Sequence, residues 1–233
     1  MNWLLLNSGK STAAFNMALD EALLENAARI GAPVLRFYGW TESAATFGYF
    51  QKFSEVERAT PLRPLLRRPT GGGIVPHNAD WTYSAIFPPG HEWPSLPAEE
   101  SYRRIHDWLR LAFVRLKIEA ELAAAKKSEI RNPKSEKPAA CFIGHEKSDL
   151  LWHGKKIAGA AQRRNKLGLL IQGSVQSPSG EMARSDWERA MVAVAAEQFG
   201  VHWQIGEADD QLLAAAHQLA ACKYSQTNYN QKR

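Results

Sequence analysis

The sequence predicts an α/β protein in which helices pack on a sheet. Short segments that alternate apolar and polar residues recur between longer segments whose apolar residues lie three and four positions apart, the patterns of strands and amphipathic helices. Of the 233 residues, 45% are hydrophobic and 23% are charged, as in ordinary globular proteins. Because this length suits one large domain, we predict a main domain over residues 1–200 and a short C-terminal helical extension of it over residues 201–233.

The first ninety residues contain one predicted helix and three predicted strands. A short opening strand precedes a helix over residues 11–25, where apolar side chains such as Phe15 and Leu19 share one face. Residues 33–40 and 81–87 alternate apolar with more polar side chains, and a Pro-Pro-Gly sequence ends the second segment. Both segments are interpreted as strands of one sheet.

The longest predicted helix covers residues 97–117, since its apolar residues recur at steps of three and four and proline is tolerated near a helix start. The Lys-, Glu-, Ser- and Pro-rich residues 126–137 predict a solvated loop. Residues 149–164 and 167–175 predict two further strands, and a tight turn at residues 153–154 interrupts the first.

Two helices are predicted near the C-terminus. Ser185 and Glu188 have the spacing of a capping box, in which a hydroxyl and a carboxylate satisfy each other's free backbone amides. The helix that they begin should end at Gly200. The last predicted helix covers about residues 207–222.

Charge and hydropathy narrow the class of partner. No apolar run approaches the roughly 18 residues of a membrane span, and residues 1–6 lack the long apolar stretch of a signal peptide. We therefore expect a soluble, cytoplasmic protein that uses no membrane. The net charge of +5 suits an acidic partner. Zinc-finger spacing and long Lys/Arg runs are both missing from the sequence, so nucleic acid is not the expected partner.

Residues 67–77, with the sequence RRPTGGGIVPH, form the first candidate motif. Three successive glycines let the backbone approach a ligand closely, and Arg67, Arg68 and free amides offer charge and hydrogen bonds to an anion. The motif could hold a phosphate, a carboxylate or an acyl carbonyl. It matches neither the phosphate-binding loop of nucleotide hydrolases nor the dinucleotide fingerprint. A plain turn, with His77 bonded in the core, remains the structural alternative.

The second candidate motif is residues 154–163, with the sequence GKKIAGAAQR. Its small residues at positions 158–161 would leave open space beside a strand. A lysine at the strand entry, such as Lys156, could polarise a carbonyl or pair with a phosphate. A solvated hairpin would give the same pattern.

The two cysteines, Cys141 and Cys222, are too few for a disulfide framework. Cys141 directly follows the predicted loop at residues 126–137. A thiol near an ammonium ionises more easily, and the thiolate is a strong nucleophile towards a thioester. A single cysteine beside Phe142 could equally be a small buried apolar residue.

Taken together, these motifs resemble a known superfamily. Residues 16–22 (NMALDEA), 67–77 and 149–163 are similar to the catalytic fold shared by lipoate-protein ligases, biotin ligases and octanoyltransferases. The resemblance extends over nearly the whole chain. It implies a mixed, largely antiparallel sheet with packed helices, and a catalytic role for the domain at residues 1–200.

Within that superfamily, the pair Cys141 and Lys156 is similar to the cysteine-dependent branch of octanoyl-[acyl-carrier-protein]:protein N-octanoyltransferases. The resemblance implies that Cys141 accepts the acyl group from acyl carrier protein and that Lys156 holds the acyl carbonyl. The acceptor would be a lysine of a lipoyl-domain protein, such as glycine cleavage H protein or 2-oxoacid dehydrogenase E2. This route requires no metal and no bound cofactor.

The resemblance also implies a set of substrate-binding residues along an acyl tunnel: Arg68, Gly71, Gly72, Gly73, His77 and Gly159. In the octanoyltransferase branch a histidine commonly stands where this chain has Gln172. Two other functions stay open. An ATP-dependent lipoate-protein ligase would use ATP and Mg²⁺ to form a lipoyl-adenylate, and a non-catalytic protein would only bind lipoyl compounds. A biotin ligase is a weaker match.

Overall fold

A computed structural model describes residues 1–124, 146–178 and 182–233. The described strands are β1 (Asn2–Ser11), β2 (Val34–Trp40), β3 (Ala44–Phe47), β4 (Leu65–Arg67), β5 (Val75–His77), β6 (Trp81–Phe87), β7 (Glu121–Leu122), β8 (Leu150–Trp152), β9 (Lys155–Asn165), β10 (Gly168–Val175) and β11 (His202–Gly206). The described α-helices are α1 (Ala13–Glu25), α2 (Ala27–Ile30), α3 (Phe53–Ala59), α4 (Glu92–Ser95), α5 (Ala98–Arg115), α6 (Arg184–Phe199), α7 (Asp210–Leu219) and α8 (Thr227–Asn230).

The main sheet has eight strands in the order β11-β1-β2-β6-β10-β9-β8-β7. Strand β1 runs parallel to both β2 and β11, and the other neighbouring pairs are antiparallel. The predicted mixed, largely antiparallel sheet is therefore confirmed. A second sheet of three short strands, in the order β4-β3-β5, carries the glycine motif between β4 and β5.

Helices cover both faces of the main sheet. On one face, Trp108 of α5 and Trp187 of α6 belong to the same apolar cluster as Phe37. On the other face, Leu23 of α1 and Leu212 of α7 form a separate cluster with the sheet. Burial of these side chains supplies the main stabilisation of the fold. Among the helices of the described residues, none combines the length and the apolar character that a membrane crossing needs.

The central strand β2 is buried on both faces, which its alternating sequence did not predict. Arg36 is fully buried, and its guanidinium forms an ion pair with Asp20 at 2.7 Å. The same guanidinium donates to the Asn16 side chain at 2.8 Å. A buried charge is tolerated only when it is paired and hydrogen-bonded in this way. The pair connects α1 to the sheet beneath the pocket described below.

Several predicted elements are confirmed. The Thr12 hydroxyl accepts from the Phe15 amide at the start of α1. Strand β6 has the predicted bounds, and α5 begins directly after Pro97. The turn at residues 153–154 separates β8 from β9, with positive φ at both of its residues.

The capping box at Ser185 and Glu188 was wrong. Helix α6 begins at Arg184, with Ala183 as the preceding cap and no side-chain capping bond. The Glu188 carboxylate instead accepts from the Arg184 guanidinium at 2.6 Å, an i,i+4 ion pair on the helix surface. The predicted helix end is confirmed, since Gly200 adopts a left-handed conformation with φ of 61°.

The C-terminal segment differs in part from the predicted helix. Residues 202–206 form β11, an edge strand of the main sheet that the sequence analysis missed. Helix α7 begins at Asp210, because the Asp209 side chain accepts from the Leu212 amide as its cap. A π-helical turn follows at residues 220–224 and carries the exposed Cys222. The domain boundary at residue 200 stays a prediction.

Candidate functional site

A pocket opens where the main sheet meets the small sheet and α1. Its free space, including the open mouth, is about 450 Å³. Its less polar wall is formed by Met17, Tyr38, Val75, Ala160, Ala161 and Gly173. Polar side chains also face it: Thr46, Arg68, Thr82, His77, Lys156, Gln172 and Ser174. A concave, largely apolar site with a few converging polar groups is the usual form of a small-molecule site.

Lys156, at the start of β9, is held by a carboxylate. Its ammonium lies 2.7 Å from Asp149 Oδ2, and the two side chains are only 7% and 0% exposed. The same carboxylate accepts from the Tyr102 hydroxyl at 2.5 Å and from the Glu146 amide at 2.7 Å. Because Asp149 is itself fixed by these donors, the pair places the lysine nitrogen at a defined point of the pocket wall.

Gly159 provides the space into which Lys156 folds. A Cβ atom added at Gly159 would stand 2.7 Å from Lys156 Cε and 2.9 Å from Lys156 Nζ. Such distances are shorter than any normal contact, so a side chain here would push the ammonium away from its present position. The missing side chain of Gly159 therefore positions the lysine in addition to widening the pocket.

His106 of α5 supports Tyr102 from below. Its ring lies 4.3 Å from the Tyr102 ring, and its Nδ1 lies 2.9 Å from the Tyr102 carbonyl oxygen. Burial lowers the pKa of His106 to about 4. The imidazole is therefore neutral near pH 7, and Nδ1 donates to the carbonyl. This adds no positive charge close to Lys156.

His77 lies on the opposite wall and is fixed on three sides. Its Nδ1 is 2.9 Å from Asp80 Oδ2, and its Nε2 is 2.8 Å from the Thr46 hydroxyl. Its ring stacks on Trp40 with 3.8 Å between centroids. Ser174 also donates to Asp80 Oδ2, at 2.6 Å. A carboxylate at Asp80 can only accept, so Nδ1 is the donor of that hydrogen bond.

The glycine motif packs backbone against backbone. A Cβ atom on Gly48 would stand 2.0 Å from the Gly72 carbonyl oxygen, and Gly72 has a φ of 89°. Arg68 donates through Nε and Nη2 to the Gly71 carbonyl at 3.0 and 2.5 Å. Arg68 thus connects the loop to the pocket wall. The predicted roles of Gly71, Gly72 and Gly73 along an acyl tunnel stay predictions.

Arg67 does not offer charge to a ligand, contrary to the sequence interpretation. Its side chain is fully buried beneath the small sheet. The guanidinium donates to the backbone carbonyls of Tyr49, Gln51 and Asn230 at 2.7 to 3.0 Å. The sequence motif combined two arginines of different function, and only Arg68 lines the pocket.

Gln172 connects the glycine motif to the buried ion pair. Its side-chain oxygen accepts from the Thr70 hydroxyl at 2.8 Å, and its nitrogen donates to Asp20 Oδ2 at 2.7 Å. Asp20 also accepts from Ser84 at 2.7 Å. An amide suits this position because it must donate at one end and accept at the other.

The structure therefore brings four of the predicted site residues to one pocket: Arg68, His77, Lys156 and Gly159. Cys141 lies outside the described residues. Sequence reasoning missed Asp149, Tyr102, Thr46 and Asp80, whose importance comes from contacts across the fold. For Asp149 a signal existed, because a carboxylate beginning a predicted buried strand needs a partner.

The sequence matches one family model and several named relatives. The family model of the lipoyl protein ligase A/B catalytic domain matches residues 12–179. The octanoyltransferase LipM of Lysinibacillus sphaericus is 38% identical over 184 residues, covering 74% of this chain and 65% of that protein. The octanoyltransferase LipM of Bacillus subtilis is 36% identical over 184 residues, covering 74% and 64%. The chain thus spans slightly less than two thirds of these relatives.

Solved structures share the fold. A lipoate-protein ligase A bound with ATP superposes with a TM-score of 0.79 at 19% identity, covering 99% of both chains. A putative lipoate protein ligase from T. acidophilum with bound lipoic acid gives a TM-score of 0.80 at 18% identity, covering 99% of this chain and 100% of that chain. At such low identity the likeness concerns the fold, and it confirms the architecture that the motifs implied.

Proposed function

The chain belongs to the lipoyl protein ligase A/B catalytic domain family, and from this premise we propose that it is an octanoyltransferase. The proposed reaction moves an octanoyl group from acyl carrier protein to a lysine of a lipoyl-domain protein. The observation that carries the proposal is the identity of 36 to 39% to proteins named octanoyltransferase LipM. The solved lipoate ligases, at 18 and 19%, are more distant in sequence.

In the first proposed step, Cys141 takes the acyl group. Its thiolate attacks the thioester carbonyl carbon, a new carbon–sulfur bond forms, and the carrier leaves as a thiolate. Negative charge develops on the carbonyl oxygen as the carbon becomes tetrahedral. The Lys156 ammonium, which Asp149 holds at the pocket wall, is the cation that would donate to this oxygen and stabilise the developing oxyanion.

In the second proposed step, the neutral amine of the acceptor lysine attacks the thioester on Cys141. An amide bond forms as the bond to sulfur breaks, Cys141 leaves as the thiolate, and the amine proton is released to solvent, where it balances the carrier thiolate of the first step. The enzyme returns to its starting state. The chemistry needs no ATP, no metal and no bound organic cofactor.

The shape and lining of the pocket support an acyl substrate. Met17, Val75, Ala160 and Ala161 offer an apolar surface to a hydrocarbon chain. Each methylene buried against such a surface contributes about 0.8 kcal/mol.

The test is transfer of octanoyl from octanoyl carrier protein to an apo lipoyl domain in the absence of ATP. We expect product by mass spectrometry with the wild-type protein and with Cys222→Ser, and nearly none with Cys141→Ser, because a hydroxyl has a far higher pKa than a thiol. Normal transfer by Cys141→Ser, together with a requirement for ATP, would instead identify a lipoate ligase.

A further inference from the structure

A group of aromatic and basic residues forms a surface beside the glycine motif. We name this surface the basic-aromatic patch and define it by Tyr49, Phe50, Lys223, Tyr229, Lys232 and Arg233. Phe50 is 73% exposed, and the Arg233 guanidinium lies over its ring. The patch joins two distant parts of the chain, the segment after β3 and the C-terminal turn.

The cations of the patch lie over aromatic rings. The Lys232 ammonium lies 3.9 Å from the Tyr49 ring centroid and 4.3 Å from that of Tyr229. The Arg233 guanidinium lies 5.4 Å from the Phe50 ring centroid. Long side chains ordered before binding lose less entropy when a partner arrives. An aromatic ring attracts a cation without cancelling its charge, whereas a carboxylate would neutralise it. The charges of Lys232 and Arg233 can therefore still attract an acidic partner.

Glu21, the buried acidic group at the inner edge of the patch, already has three partners. Glu21 accepts from Lys223, from the Tyr224 hydroxyl at 2.7 Å and from Arg163 at 2.9 Å. Burial acts to raise the pKa of Glu21, but these donors outweigh it and lower the pKa. The neighbouring Glu25 has a raised pKa, first because of partial burial and then because of Glu21. Lys232 and Arg233 are exposed at the surface.

Two hydrogen bonds connect the patch to the lining of the pocket. The Tyr49 amide donates to the Thr70 carbonyl at 2.9 Å, and the Thr70 hydroxyl donates to the pocket residue Gln172. On the other side, Arg163 follows the pocket residue Ala161 by two positions on β9. The patch is therefore built on segments that also form the pocket lining.

We propose that the basic-aromatic patch is the docking surface for the acceptor, an acidic protein domain that presents the target lysine. This inference rests on the proposed function. A lysine carries its amine on only four methylenes, so the acceptor itself must touch the pocket rim. A carrier protein presents its acyl group on a longer flexible arm and has no such need. Phe50 provides an apolar contact, and the cations around it select for acidic residues.

The test reverses charge at the patch and at a matched distant site. The patch variant is Lys232→Glu with Arg233→Glu. The control is Arg115→Glu with Arg189→Glu, two exposed arginines on α5 and α6. Both variants change the net charge by the same amount, so general electrostatic steering affects them alike. Thermal unfolding checks that each variant is folded.

With an acidic apo lipoyl domain as acceptor, the patch variant should raise the acceptor KM by about tenfold or more, and the difference from wild type should shrink in 0.5 M salt. Acylation by octanoyl carrier protein should stay within about twofold of wild type. An unchanged acceptor KM, or an equal rise in the control, would overturn the proposal. Slower acylation with an unchanged acceptor KM would assign the patch to the carrier.

Direct calorimetric binding of the apo lipoyl domain separates this inference from the proposed function. If no octanoyl transfer occurs with any variant, the proposed activity fails, yet binding that is weakened in the patch variant alone would still support the surface. Equal affinity of wild type and patch variant in this measurement would contradict it.

Discussion

The two polar walls of the pocket hold their central residues in different ways. Lys156 is held by an ion pair to a buried carboxylate, and the space that it occupies exists because Gly159 has no side chain. His77 is bonded at both ring nitrogens and stacked on Trp40. The lysine wall thus presents a positively charged group to the pocket, and the histidine wall presents a fixed surface. Substitutions should affect chemistry on the first wall and stability on the second.

Removal of the lysine should have the largest effect. In Lys156→Ala the developing oxyanion loses its cation, and turnover should fall about a hundredfold or more. The fold should survive, since Asp149 keeps the Tyr102 hydroxyl and the Glu146 amide as donors. Steady-state kinetics of octanoyl transfer and circular dichroism check both points. The neighbouring Lys155, exposed at the start of β9, is the control, and equal losses at both lysines would contradict the assignment.

Loss of the carboxylate partner should have a smaller effect of the same kind. Asp149→Asn keeps the size of the side chain and an acceptor for Tyr102, but removes the charge that positions the lysine. We expect kcat to fall roughly thirtyfold, because a misplaced catalytic group costs up to about a hundredfold. KM for the acceptor should change little, as for an interaction that matters in the transition state. If Asp149→Asn has the kcat of the wild-type protein, Lys156 does not need the carboxylate to hold it in position.

The histidine wall should respond in stability. His77→Ala removes the partner of the Thr46 hydroxyl, one of the donors to Asp80 and the stacking on Trp40. Leaving a buried polar group without its partner costs about 1–3 kcal/mol, so we expect the free energy of unfolding in urea to fall by about 2 kcal/mol. The exposed His202 provides the control, because His202→Ala removes a side chain that lies in solvent. Equal stability of the two variants would remove the distinction between the walls.

The smallest change that tests the position of Lys156 is one added methyl group at Gly159. Gly159→Ala should displace the Lys156 ammonium and lower turnover about tenfold, with little loss of stability, because the flexible end of a lysine can move aside. Gly206→Ala is the matched control, since its Cβ would meet only Leu4 at an ordinary 3.7 Å. Transfer at the wild-type rate by Gly159→Ala would mean that the lysine position is not critical.

Local patterns predicted most of the main sheet and its helices. Strands β6 and β10 and helices α1 and α5 were predicted because alternation, helical spacing and turn residues all act within a few positions. Strand β11 was missed because it is a short, largely exposed edge strand that pairs with β1 from the far end of the sequence. Its pattern therefore contains little apolar alternation.

The site was predictable where residue type alone indicated chemistry. Lys156 and the glycine motif stood out for this reason, and the resemblance to the superfamily added their roles. The groups that hold them did not stand out, because Tyr102 reaches Asp149 across 47 positions and Ser174 reaches Asp80 across 94. Such long-range hydrogen bonds leave no local pattern. Arg67 and Arg68 are identical in type and adjacent in sequence, yet their roles differ. Arg67 bonds buried backbone carbonyls, and Arg68 lines the pocket.

The most direct test of the account is the intact mass of the protein after incubation with octanoyl carrier protein, without ATP and without acceptor. We predict a gain of one octanoyl group, located by peptide mapping at Cys141, and its transfer to a lipoyl domain when that domain is then added. The adduct should form in Cys222→Ser and be missing in Cys141→Ser. No adduct without ATP, or an adduct that persists in Cys141→Ser, would contradict acyl transfer through this cysteine.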